Sequence, residues 1–241
     1  AGILKRGVPC VVGPQEEDAL AVIEARAARV GAPLFIHGQH WHAYEENGRL
    51  IYQDENGLLD LPLPNLPGPH QIQNAGAAIA ALRLLGLDAG AESAVTRAEW
   101  PARMQRLRQS PLASSAAGVE LWLDGGHNPA GGLAVAATLA RMAKRPTHLI
   151  CGMINTKDVV GYMRPLAAQA ASLTAVTIPE EPNAVPAGTI AEDAAIAGFT
   201  TTFIAPSVEA ALADIAARDP AARVLICGSL YLAGKVLREN G

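Results

Sequence analysis

Cysteine, aromatic residues, charged residues and long apolar runs are all scarce in this 241-residue chain. The cysteines are three in number, Cys10, Cys151 and Cys227, and their spacing fits neither a disulfide framework nor a zinc site. We therefore expect buried, reduced thiols in a cytoplasmic protein. No apolar run reaches the roughly 20 residues that a membrane-spanning helix needs, so we expect no membrane partner.

The charge, the hydrophobic fraction and the first residues narrow the possible classes of protein further. The 19 basic and 23 acidic residues give a net charge of −4, which argues against nucleic acid as a partner. Half of the residues are hydrophobic, which argues against disorder. No signal peptide and no initiator methionine open the chain, so we expect it to begin inside a longer protein.

The first part of the chain is predicted to combine two small motifs. A strand at 8–12, a helix at 16–30 and a strand at 33–36 indicate a parallel layer. Turn signals at Asn47-Gly48 and Asn56-Gly57 then indicate an antiparallel meander, followed by an alanine-rich helix at 71–85. Residues 88–93 are predicted to connect two domains, which we place at 1–94 and 95–241.

The second part alternates strands and helices. Strands are predicted at 119–124, 147–152, 173–178, 200–204 and 223–227, with helices at 129–143, 159–171, 189–197, 208–218 and 230–239. This rhythm is typical of an α/β fold with a doubly wound, mostly parallel sheet of five or six strands. Ligands of such sheets bind at the carboxyl ends of the strands.

One strand end carries residues that suit a site. Asp124 ends a predicted strand, and His127 follows just before Asn128 and Pro129, which suit the start of a helix. A helix N-terminus favours an anion. A P-loop is excluded, because Gly132-Leu133 stands where that motif has Lys-Ser/Thr.

Other polar segments leave alternatives open. The amides that begin with Gln71 can contact a heterocycle edge, or form an ordinary first helical turn. Arg103 suits forked phosphate contacts, or is a surface arginine beside a packing Trp100. The histidines at 37, 40 and 42 have no ligand partners at matching spacing, so we expect a solvated hairpin face and no metal site.

Several motifs together resemble the folylpolyglutamate synthase family, more narrowly the bacterial bifunctional dihydrofolate synthase/folylpolyglutamate synthases of the Mur ligase superfamily. The resemblance spans the whole chain in order and spacing. It is carried by His70-Gln71-x-x-Asn74-Ala75, Trp100-Pro101-Ala102-Arg103, Asp124-Gly125-Gly126-His127-Asn128-Pro129, Gly152-Met153 with Lys157-Asp158, and Gly228-Ser229-Leu230-Tyr231-Leu232.

The resemblance implies both a fold and residue roles. Residues 1–94 would end a P-loop ATPase (central) domain, and 95–241 would form the Rossmann-like glutamate-ligase domain. By motif match, Asn74, Arg103 and Asp124 would hold ATP, with Arg103 and His127 as the catalytic residues. His127 would lie near the incoming L-glutamate, and Ser229 is a weaker candidate for the same pocket.

Departures from the family pattern limit what this chain can do alone. Ala102 replaces a usual glycine and Gly126 a usual alanine, and we expect both to be tolerated. The Gly-rich ATP loop and the Mg²⁺ ligands are expected upstream of this chain. We therefore expect a monomer that is inactive by itself, from an enzyme that uses ATP, Mg²⁺, L-glutamate and dihydropteroate or folate.

Two other functions stay open at this point. A Mur-type ligase of cell-wall precursors shares the same domains and would be distinguished by its substrate. A stand-alone nucleotide-binding or regulatory module would have its own start codon just before Ala1.

Overall fold

The computed structural model describes residues 2–240, which form two compact units, residues 2–99 and residues 100–240. Each unit has its own hydrophobic core. Within the described residues, helices are too short or too polar to cross a membrane.

The first unit begins with a parallel pair of strands joined by a helix, as predicted. Strand β1 (Cys10–Val12) pairs with β2 (Leu34–Ile36), and helix α1 (Glu17–Val30) connects them. Gly31 ends the helix in the left-handed conformation, with φ of 74°. A residue without a Cβ is favoured there.

The rest of the first unit is the predicted antiparallel meander under a helix. Strands β3 (Trp41–Glu46), β4 (Arg49–Asp54) and β5 (Gly57–Pro62) pair in order, and helix α2 (His70–Leu84) covers them. The largest buried side chains of this core come from both layers and are Trp41, Tyr52, Leu50 and Ile79.

The predicted connection at 88–93 is wrong. A 3₁₀ turn (Asp88–Gly90) leads directly into helix α3 (Ala91–Thr96). Ala91 and Val95, one turn apart, are buried in the core of the first unit, and this small apolar pair is what makes the segment helical. The boundary placed after residue 94 lies inside α3.

The second unit is the doubly wound α/β fold that the alternation predicted. Its strands are β6 (Gln105–Arg106), β7 (Glu120–Leu123), β8 (Thr147–Cys151), β9 (Ser172–Ala175), β10 (Thr202–Ile204) and β11 (Arg223–Cys227). Its helices are α4 (Pro111–Ser115), α5 (Pro129–Arg141), α6 (Val159–Met163), α7 (Ala187–Ala197), α8 (Val208–Arg218) and α9 (Leu230–Asn240).

These strands form one sheet in the order β10-β9-β8-β11-β7-β6. All neighbours are parallel except β6, which runs antiparallel to β7. One face of the sheet packs on α5, α6 and α7, and the other on α4, α8 and α9. Strands β8 and β11 are buried along their whole length, as expected for a sheet covered on both faces.

Two predictions in this unit need correction. Strand β6 was not predicted, because two polar residues give no periodic signal. The helix predicted at 159–171 ends at Met163 and continues only as a 3₁₀ turn (Arg164–Leu166). Pro165 has no N–H group to donate, which breaks the helix there.

The register of the central strands defines two edges. The strand ends after Leu123, Cys151 and Cys227 lie on what we name the carboxyl edge. The opposite end, named the amino edge, begins with Glu120 and Arg223, which are direct partners across β7 and β11.

Candidate functional site

Asp124 joins two loops at the carboxyl edge. It follows β7 and is 5% exposed. Its Oδ1 accepts the N–H of Gly126 at 2.7 Å, and its Oδ2 accepts the N–H of Met104 at 2.8 Å. The carboxylate therefore ties residues 100–104, named the arginine loop, to residues 124–128, named the histidine loop.

The arginine loop has an unusual backbone around Arg103. Ala102 and Met104 both have positive φ, 56° and 43°, a conformation that costs an L-residue roughly 1–2 kcal/mol. Both are buried, and the Ala102 carbonyl accepts the N–H of Gly125 at 2.8 Å. The exposed Arg103 between them is thus presented by a loop whose two flanks are fixed.

Trp100 is not a packing residue. Its side chain is 66% exposed. The alternative of a surface arginine beside a packed tryptophan is therefore wrong for the tryptophan. Arg103 is exposed as that alternative required. The loop is held by hydrogen bonds of its backbone groups, including the Ala102 N–H, which donates to Gln105 Oε1 at 2.9 Å, and the exposed Trp100 does not anchor it.

The histidine loop opens helix α5 as predicted. Asn128 is the N-cap, and its Oδ1 accepts the N–H of Gly131 at 2.8 Å, with Pro129 at the first helical position. His127 is half-buried, and its Nδ1 lies 3.0 Å from the Gly125 carbonyl. Because a carbonyl only accepts, Nδ1 carries the proton. In this tautomer Nε2 is the ring nitrogen that can accept a hydrogen bond.

The loop after β11 is shaped by Gly228 and Ser229. Gly228 has φ of 104°, and a Cβ on it would lie 2.7 Å from Cys151 Sγ and 2.8 Å from the Gly152 carbonyl oxygen. Only glycine fits that position. Ser229 is 2% exposed, and its Oγ accepts the N–H of Tyr231 at 3.0 Å, so it caps α9.

Asn74 belongs to the first unit. It is exposed near the start of α2, and its Nδ2 donates to Gln71 Oε1 at 2.9 Å. Gln73 Nε2 donates to the carbonyl of Ala43 at 2.9 Å. The amide cluster is thus partly engaged within the first unit, while Arg103 and Asp124 lie in the second.

The histidines of the first unit have other contacts. Of His37, His40 and His42, only His42 lies in a strand, because β3 begins at Trp41. His40 Nδ1 accepts the N–H of Ile36 at 3.1 Å. Burial, and then the nearby His42, lower the pKa of His37. Across residues 2–240, the side chains of His, Cys, Asp and Glu form no group of three that could hold a metal ion.

Sequence reasoning missed Tyr162, which lies beneath the histidine loop. A Cβ on Gly126 would lie 3.4 Å from its ring, and the Tyr162 side chain is fully buried. Burial raises the pKa of the phenol well above its ordinary value, and the Asp124 carboxylate raises it further. A tyrosine in an apolar helix gives no signal in one sequence that it supports a loop 36 positions earlier.

Fold and site together define a doubly wound α/β domain with two linked polar loops at the carboxyl edge. Residues 102–230 match the family model of the Mur ligase, glutamate ligase domain. That match covers more than half of the chain, and the chain belongs to the Mur ligase family.

Curated relatives and solved structures agree with this family. The chain is 28% identical over 251 residues to folylpolyglutamate synthase of Lacticaseibacillus casei, an alignment that covers 98% of this chain and 55% of the relative. It is 25% identical to a probable dihydrofolate synthetase of Schizosaccharomyces pombe, with 99% and 59% covered. The predicted resemblance to folylpolyglutamate synthases is confirmed.

The solved E. coli FolC in complex with DHPP and ADP has a TM-score of 0.81 and 26% identity, covering 98% of this chain and 54% of that one. A bifunctional folylpolyglutamate synthase/dihydrofolate synthase from Yersinia pestis, complexed with AMPPNP and Mn ion, has a TM-score of 0.80 at 26% identity, with 98% and 54% covered. The chain spans about half the length of the relatives it matches, and it corresponds to their C-terminal portion.

Proposed function

We propose that this chain is the glutamate-ligase portion of an enzyme that uses ATP to join L-glutamate to dihydropteroate or folate. The observation that carries the proposal is the pair of loops linked by Asp124, which presents Arg103 and His127 at one edge of the sheet. The proposal is supported by relatives named as folylpolyglutamate and dihydrofolate synthases.

Such a ligase proceeds through two transfers. A substrate carboxylate oxygen attacks the γ-phosphorus of ATP, the bond to ADP breaks, and an acyl phosphate forms. The glutamate amine then attacks the acyl carbon, phosphate leaves with its bonding electron pair, and the nitrogen loses a proton as the amide forms. Positioning and charge neutralisation are the main means of accelerating both steps.

Arg103 supplies charge in this scheme. Its guanidinium is permanently protonated and matches phosphate oxygens with two parallel N–H donors. It is exposed between two fixed residues, so the group is free to meet a phosphate while its loop stays in place. Arg103 therefore neutralises negative charge that develops on the transferred phosphoryl group.

His127 and Ser229 are assigned to L-glutamate. His127 presents the Nε2 lone pair, which accepts a hydrogen bond or a proton from the attacking nitrogen. Ser229 is buried and its Oγ accepts the N–H of Tyr231, and the hydroxyl proton can be donated to a substrate carboxylate.

Asn74 and Asp124 are assigned to the nucleotide. Asn74 offers an exposed amide on α2. Asp124 accepts one backbone N–H on each carboxylate oxygen, and a carboxylate is also a suitable acceptor for a nucleotide hydroxyl. Asp124 thus acts both on the nucleotide and on the loop that carries Arg103.

A divalent cation would neutralise the phosphates of ATP. The solved Yersinia pestis structure is described as complexed with AMPPNP and Mn ion. We propose that the Mg²⁺ ligands lie upstream of this chain, in the part that its relatives have and this chain does not cover. We further propose a monomer that acts in the cytoplasm on small molecules, and its two deeply buried free cysteines suit a reducing compartment.

Measurement of ADP release tests the proposal. The enzyme expressed from this coding sequence with its upstream frame is expected to release ADP with ATP, L-glutamate and dihydropteroate or folate. The present chain alone is expected to release none. ADP release that requires a cell-wall precursor instead, or that the chain alone performs, would contradict the proposal.

A further inference from the structure

The amino edge of the second unit, opposite the proposed ligase site, concentrates positive charge. Glu120 lies within ion-pair distance of three arginines, with Oε1 2.9 Å from Arg106 Nη1 and 3.4 Å from Arg223 Nε, and Oε2 3.4 Å from Arg145 Nη1. Trp122 Nε1 also donates to Oε1 at 2.8 Å. One carboxylate thus faces three guanidinium groups, which leaves two positive charges uncompensated within this cluster.

Part of this positive charge is buried, where water screens it less. The Arg223 side chain is only 4% exposed, and its Nη2 donates to the Ala143 carbonyl at 3.1 Å. Burial lowers the pKa of Arg106, the Glu120 carboxylate raises it, and the nearby Arg108, Arg145 and Arg223 lower it. Arginine stays protonated regardless. The three arginines around Glu120 therefore carry more positive charge than this carboxylate offsets.

An open cavity adjoins this cluster. Its volume is about 530 Å³, within the range of small-molecule sites. The loop between α5 and β8 forms one wall and contributes Lys144 and Arg145, while Arg223 and Gln169 contribute from other elements. Lys144 and Arg145 are exposed and Gln169 is half-buried. The charged side chains that line the cavity are Lys144, Arg145 and Arg223, and all three are cations.

We propose that this cavity binds a phosphate-bearing small molecule. Guanidinium forks match tetrahedral oxyanions, and the Lys144 ammonium adds a point charge beside them. Strand β11 separates the two edges by five residues, roughly 15 Å of extended chain. The site is thus distinct from the proposed ligase site and does not depend on the proposed function.

Calorimetric titration tests this site. The probes are inorganic phosphate, pyrophosphate and ADP, each titrated into the chain and into its Arg103→Ala variant, which removes the other expected phosphate contact. We expect saturable binding that persists in Arg103→Ala. The double variant Lys144→Ala/Arg145→Ala should bind at least tenfold more weakly, while Arg238→Ala, an exposed arginine on α9, should bind as the unchanged chain does.

The variants also separate binding from folding. Both residues of the double variant are exposed, so its thermal unfolding temperature should stay close to that of the unchanged chain. Equal affinity for phosphate and pyrophosphate would identify a single phosphate group as the recognised element, and tighter ADP binding would identify a nucleotide. No saturable binding of any probe, unchanged binding in the double variant, or loss of binding in Arg103→Ala would overturn the proposal.

Discussion

The two edges of the six-stranded sheet handle charge in opposite ways. At the carboxyl edge, the buried Asp124 carboxylate accepts the backbone N–H groups of Gly126 and Met104. At the amino edge, Glu120 is met by arginine side chains and by Trp122. The Asp124 carboxylate thus holds two backbone loops in place, while the Glu120 carboxylate offsets arginine charge.

The difference has a physical lesson. Backbone donors cannot move away from a carboxylate without unfolding their loops, so the Asp124 arrangement fixes the geometry of the arginine and histidine loops. Long arginine side chains can change rotamer, so the Glu120 arrangement fixes less geometry and more electrostatic potential. Geometry at one edge suits chemistry, and potential at the other suits anion binding.

The largest change in stability is expected when the Asp124 hydrogen bonds at the carboxyl edge are removed. Asp124→Ala leaves the buried N–H groups of Gly126 and Met104 without an acceptor, which costs about 2–5 kcal/mol of unfolding free energy. Urea unfolding of the chain measures it. Asp158→Ala is the matched control, because it removes one exposed capping bond and should cost about 1 kcal/mol. Equal losses in the two variants would show that Asp124 does not tie the loops.

The next effect concerns the charge that those loops present. In the enzyme that includes the upstream frame, Arg103→Ala should lower turnover about a hundredfold or more, because it removes charge stabilisation of the phosphoryl group. Arg103 is exposed, so thermal unfolding should barely change. Steady-state kinetics alongside Arg238→Ala provide the comparison, and a turnover like that of the unchanged enzyme would remove Arg103 from the catalytic residues.

The role of Glu120 at the amino edge can be tested through the pH dependence of stability. Burial alone would raise the pKa of Glu120, but the Trp122 hydrogen bond and the charges of Arg223 and Arg106 bring it below its ordinary value of 4.5. A lowered folded-state pKa contributes stability that is present above pH 4.5 and is lost as the pH falls through the folded-state value.

Glu120→Gln should therefore cost about 1–3 kcal/mol at neutral pH, because buried arginine charge loses its counter-charge. The gap between the unchanged chain and the variant should narrow as the pH falls below 4.5. Denaturant unfolding at a series of pH values measures this. A gap that stays constant with pH would show that charge is not what Glu120 contributes.

The last prediction concerns side-chain packing in the histidine loop, and its control variant has the smallest expected effect. Gly126→Ala places a Cβ 2.8 Å from Asp124 Oδ1 and 3.4 Å from the Tyr162 ring, so we expect a loss of about 1–3 kcal/mol from overpacking. In Gly234→Ala the new Cβ meets open space within helix α9, and a gain of about 0.5–1 kcal/mol is expected. Thermal unfolding of both variants checks this, and a stabilising Gly126→Ala would mean that the loop relaxes freely.

Much of the fold was predictable from the sequence, because the second unit alternates apolar strands and amphipathic helices with clear stop signals. The caps at Asn128 and Ser229 were predictable for the same reason, since side-chain caps are local. Helix α3 and strand β6 were missed because each rests on contacts distant in sequence and has almost no pattern of its own.

The candidate site was predictable as a set of residues and not as an arrangement. Asp124, His127 and Arg103 lie in recognisable sequence motifs. The hydrogen bond from the Met104 N–H to Asp124, however, spans 20 positions and does not involve the Met104 side chain. The positive φ of Ala102 also leaves no trace in the sequence, because alanine usually avoids that conformation.

The two outer strands of the second sheet have a consequence for association with other chains. Strand β6 has two residues and β10 has three, so each offers very few unpaired backbone groups. Arg218 lies over the Phe203 ring on β10, which adds a charge beside that strand. Short, charged outer strands are poor templates for edge-to-edge pairing, and they protect this unit from growth into aggregated sheets.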